Sequence, residues 1–80
     1  MFTKSYIRGE AARIYNVSED SIKVVLLQDS RCVLLLIYSE IIWSEELSDK
    51  LEEFYDDIAD KGWKLALPLF FPVEVNPWKQ

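Results

Sequence analysis

Eighty residues, half of them hydrophobic and 14% aromatic, suffice for one domain with a core and exclude a disordered chain. The formal net charge of −5 weighs against a plain nucleic-acid binder, which needs a basic patch. With no histidine and one cysteine, Cys32, the chain lacks Ser-His-Asp and Cys-His nucleophile systems, intrachain disulfides and the usual zinc frameworks.

The start, Met1-Phe2-Thr3-Lys4, does not lead into an apolar signal segment, so no signal peptide is expected. The longest uncharged apolar runs, 32–39 and 65–73, fall well short of the roughly 20 residues that span a bilayer. No membrane partner is expected, and a lone thiol suits a reducing, cytoplasmic setting.

Residues 2–7 alternate weakly and predict a short edge strand, with Arg8-Gly9-Glu10 as a turn. Residues 11–28 admit two readings. In the first, 13–17 and 22–28 are strands joined by a turn at 18–21, since Val24 and Val25 favour a pleated surface. Asp29-Ser30 then turns the chain into 32–38, the most apolar run, which predicts a central strand or one covered on both faces.

In the second reading Ala12, Asn16, Val17, Ser18, Ser21 and Ile22 resemble the turn of bacterial DNA-binding helix-turn-helix modules. Asn16 stands where Gly is usual and accepts a left-handed conformation. The resemblance covers about eleven residues of 11–28 and implies a transcription regulator. The helix that would read DNA opens Ser18-Glu19-Asp20 and offers only Lys23 as a cation, so phosphates would repel its N-terminus.

Residues 44–62 read as one amphipathic helix around which the rest is organised. Leu47, Leu51, Phe54, Tyr55 and Ile58 form a single apolar stripe. Ser44 caps its start, Glu45 and Glu46 suit the positive end of its dipole, and Gly62 stops it. Residues 63–71 follow as a half-buried strand with Trp63, Leu65, Leu67 and Leu69 on one parity, and Pro68 confines it to an edge. The expected fold is therefore α+β: a small antiparallel sheet, a three-strand meander plus a C-terminal strand, with one acidic helix, about 45–61, packed on one face. A single domain spans 1–80, and 72–80 is an extended proline-containing tail.

The acids of the helix are the candidate site. Glu45, Asp49, Glu52, Glu53, Asp56 and Asp60 fill the arc opposite the apolar stripe. Two oriented ion pairs, Glu46–Lys50 and Asp57–Lys61, stand against five like-charge i,i+4 pairs, each costing about 0.2–0.5 kcal/mol. One reading is a solvated helix face. The other is a contact surface for a protein partner with a basic surface, including mimicry of a nucleic-acid backbone. Trp78, beside Pro77, joins this set as a docking aromatic.

The acids lie outward where solvent levels their pKa values, and no loop has the EF-hand pattern, so neither catalysis nor a metal is expected of them. Cys32 has no base near it in sequence and reads as a small buried hydrophobe. Two glycines, Gly9 and Gly62, make no phosphate-cradling loop. No cofactor is expected. The function expected is a small acidic protein-binding module, an inhibitor or adaptor of phage or plasmid type, with no direct nucleic-acid contact. The helix-turn-helix regulator is the alternative, and a homo-oligomeric module, such as a homodimer, is the third reading.

Overall fold

Ile7, Ala11, Ile14 and Tyr15 lie at i, i+4, i+7 and i+8, which places them on one side of a helix. The computed structural model, which describes residues 3–75, has a helix α1 there, Lys4–Tyr15. Thr3 caps it, its side chain accepting from the Tyr6 N–H at 3.1 Å, and Asn16 ends it in the left-handed region at φ 58°. All four stripe residues are buried. The strands expected at 2–7 and 13–17 are therefore not formed. The Arg8-Gly9-Glu10 triplet that reads as a turn lies inside the helix, because the stripe buries enough surface to override one glycine, a cost of about 1 kcal/mol.

A short 3-10 turn, Glu19–Ser21, leads into strand β1, Ile22–Leu27. The helix-turn-helix alternative fails at this point, since the segment that would read DNA is a strand. Its first half was sound: 11–15 is helical and Asn16 does adopt the left-handed turn. Strand β2, Cys32–Ile37, pairs antiparallel with β1, from Ile22 opposite Ile37 to Leu27 opposite Cys32. Arg31 closes the connecting loop at φ 52°.

Helix α2, Glu45–Asp60, matches its expected extent. The Ser44 hydroxyl accepts from the Leu47 N–H at 3.1 Å. At the other end Gly62, at φ 82°, donates to Ala59 O at 3.0 Å, and Trp63 donates to Ile58 O at 3.2 Å. This pair of bonds satisfies carbonyls the last turn would otherwise leave open.

The chain then returns beside β2 in two pieces, β3, Lys64–Leu65, and β4, Leu69–Phe70, both parallel to it. The sheet is thus mixed, with four strands, rather than an antiparallel meander. The helix between β2 and β3 reverses the chain, so the next strand runs the same way as the last.

The break has a local cause. Lys64 donates to Arg31 O at 2.8 Å and Ala66 to Val33 O at 2.9 Å, so residue 68 should donate to Leu35. Residue 68 is Pro68, which has no N–H. The chain takes up one extra residue and resumes with Phe71 donating to Ile37 O at 2.8 Å.

The core lies between the sheet and the two helices. Ile22 and Val24 of β1, and Val33, Leu35 and Ile37 of β2, share one face and pack with Ile7, Ala11 and Ile14 of α1 and Leu47, Phe54 and Ile58 of α2. Within the stretch 72–80, expected as an extended tail, Val73–Val75 form a 3-10 turn, and 76–80 lie outside the described residues. Among the described residues no helix is long and apolar enough to cross a membrane.

Candidate functional site

Helix α2 presents its acids outward because its apolar stripe is held by the core. Glu45, Asp49, Glu52, Glu53, Asp56 and Asp60 are all exposed. Both ion pairs expected on the helix form, Lys50–Glu46 at 3.1 Å and Lys61–Asp57 at 2.7 Å. They use the other two acids, and among the described residues none of the six has an ion-pair or hydrogen-bond partner. The six form one negative strip along the helix. Trp78 lies outside the described residues.

Asp57 serves a different purpose. It accepts from the Tyr6 hydroxyl of α1 at 3.1 Å and from Lys61 at 2.7 Å, and the Lys61 ammonium sits 5.6 Å from the centre of the Tyr6 ring. The hydrogen bond from Lys61, helped by that from Tyr6, holds the Asp57 carboxyl below its ordinary value. The same carboxylate raises the pKa of Lys61 and of Tyr6. This junction ties the two helices together. Sequence spacing gave no hint of it, because Tyr6 and Asp57 are 51 residues apart.

The tryptophans do not all enter the core. Trp43 is 57% exposed and meets Tyr15 and Phe70 edge-on, at ring-centre distances of 6.3 and 5.7 Å. Trp63 packs half-buried against the core.

The second surface is the face of the sheet turned away from the helices. Residues paired across strands point the same way, so the register places Val25 and Leu27 of β1, Cys32, Leu34 and Leu36 of β2, and Leu69 of β4 on this side. Lys23 and Lys64 occupy diagonal corners of it. Leu27 is 45% and Leu69 48% exposed, and among the described residues none of the six apolar side chains packs against the core.

The run 32–38 reads as a central strand or one covered on both faces, and β2 is central, between β1 and the β3–β4 edge. Among the described residues the helices cover one face, and Cys32, expected as a small buried hydrophobe, is half-buried on the other. The signal was present, since both parities of β2 are apolar. It records what each side chain favours but does not show which layer supplies it.

Among the described residues no three His, Cys, Asp or Glu side chains are placed to hold a metal ion. No family profile, characterised protein or solved structure matches the chain.

Proposed function

We propose that this chain is a non-catalytic protein-binding module, an inhibitor or adaptor that meets a basic partner surface through the outer face of α2. The observation that carries the reading is the set of six exposed acids along one helix that, among the described residues, have neither an ion pair nor a hydrogen bond. A face built only for solubility would interleave lysines, which lower the cost of neighbouring like charges. An unneutralised strip attracts a basic surface over a Debye length of about 8 Å and orients it before contact. The partner chemistry that fits is a groove or patch rich in Lys and Arg, such as one that holds a nucleic-acid backbone. A free thiol in Cys32 fits a reducing compartment, the cytoplasm.

The experiment replaces Asp49, Glu53, Asp56 and Asp60 with Asn or Gln. Partners are captured from lysate on the wild type, and association is timed at two ionic strengths for both proteins. Association of the variant should be about tenfold slower or more at low salt and lose most of its salt dependence. The melting temperature should stay level or rise slightly, because five like-charge pairs are relieved. Equal rates at both salts would end the reading.

A further inference from the structure

We infer, resting on the reading of α2 as the face for a basic partner, that Ile42 and Trp43 anchor that contact and enter an apolar pocket beside the partner's Lys and Arg patch. In the loop before α2 the core is met by Ile41, which packs half-buried against it. Ile42 is 90% and Trp43 57% exposed. An apolar residue just before a helix cap commonly packs on the fourth helical residue. Here that residue is Ser48, so the start of α2 does not call for a tryptophan.

Trp43 is nevertheless held. Its ring meets Tyr15 at 6.3 Å and Phe70 at 5.7 Å, both edge-on, and those two rings meet each other at 6.1 Å. Tyr15 is buried and Phe70 is 41% exposed, so the three rings run from the core to the surface. The most exposed of them is therefore set before any partner arrives. An aromatic fixed in this way gives contact area at little cost in rotamer freedom, which is the property of residues that dominate interfaces.

Charge selects the kind of partner. Glu40, two residues before Ile42, and Glu45, two after Trp43, are both exposed. The cations that line one groove with Ile42 are Arg13 and Lys50, and they are engaged with Glu10 at 2.8 Å and Glu46 at 3.1 Å. A single-stranded nucleic acid stacks bases on such a ring but needs cations along its backbone, and here its phosphates would meet carboxylates. An anionic membrane surface is repelled for the same reason. A second copy seated on the patch about a two-fold axis would set Glu40 and Glu45 against their own images. A protein with Lys or Arg around an apolar pocket suits both the rings and the acids. Glu45 also begins the acidic strip of α2, so one partner surface covers anchor and strip together.

Long-range charge sets how fast the partner arrives, and a buried anchor sets how long it stays. The test starts from the full chain carrying a photoreactive benzophenone residue at position 42, irradiated in lysate. The peptide joined to position 42 should belong to another protein and carry Lys or Arg close to apolar residues. With that protein, purified, as the probe, Ile42→Ser and Trp43→Ala should each speed dissociation about tenfold or more and leave association within about twofold. Leu27→Ser, on the far face of the sheet and 45% exposed in the wild type, should change neither.

An adduct to a second copy, to another part of the same chain, to nucleic acid or to lipid overturns the proposal, as does no adduct at position 42. Unchanged dissociation in both variants also overturns it. If neutralising Asp49, Glu53, Asp56 and Asp60 still slows association, the anchor alone falls. If it does not, the acidic reading of α2 falls with it. Should Trp43→Ala fail to fold, Ile42→Ser decides, since that side chain is 90% exposed.

Discussion

Tyr15 shows how a single side chain joins distant parts of the chain. It leaves the last turn of α1, is 5% exposed, and touches Trp43 from the loop before α2 and Phe70 from β4. Burial pushes its phenol pKa from 10.0 up to about 12. A raised pKa means the fold favours the protonated form. The stability this contributes is complete below pH 10 and is lost as pH rises through about 12. Two pKa units correspond to a loss on the order of 2–3 kcal/mol. Tyr15→Phe should keep stability within about 0.5 kcal/mol at neutral pH. It should also remove most of the alkaline decline, read as urea midpoints between pH 9 and pH 12. A decline that persists in the variant would assign it to other groups, Lys61 and Tyr6 of the helix junction first among them.

Among the elements, legibility followed the range of the interactions that fix each one. α2 was readable because everything that defines it is local: Ser44, the Leu47-to-Ile58 stripe, and Gly62. Its ends make a direct test. An alanine Cβ at Gly62 would meet Arg31 Nη1 at 3.5 Å, an ordinary contact, so the cost of Gly62→Ala is backbone strain at φ 82°, about 1–2 kcal/mol. Ser44→Ala removes the cap at about 1 kcal/mol. Both should lower the urea midpoint without changing the slope of unfolding, and a Gly62→Ala protein as stable as the wild type would contradict the observed helix end.

α1 was misread because Gly9 and its charged neighbours imitate a turn, while the alanines of its stripe give a weak apolar signal. The acids of the candidate site were readable as a strip because one helix carries them all. The parallel direction of β3 and β4 was not readable, since it depends on where α2 sets the chain down.

At the scale of the whole molecule, two helices pack on one side of the sheet among the described residues. The core-facing positions of β1 and β2 follow from the register and the packing of the helices, not from alternation, since both parities of β2 are apolar. The bulge between β3 and β4 also bears on what chain lengths this fold tolerates. Before it, paired positions differ by 32 in number, Cys32 with Lys64; after it they differ by 33, Leu36 with Leu69. Leu67, 81% exposed, lies within that one-residue excess. A chain lacking Leu67 would run at a constant difference of 32. Leu69 would still point outward and Phe70 inward, and Pro68 would move to a position whose missing N–H faces solvent. Such a deletion should fold, with a melting temperature within about 5 °C of the wild type. Deleting Leu34 instead would turn half of β2 inside out, and no folded protein should be recovered. A gene of this kind can therefore lose the codon at position 67 but not one within β2.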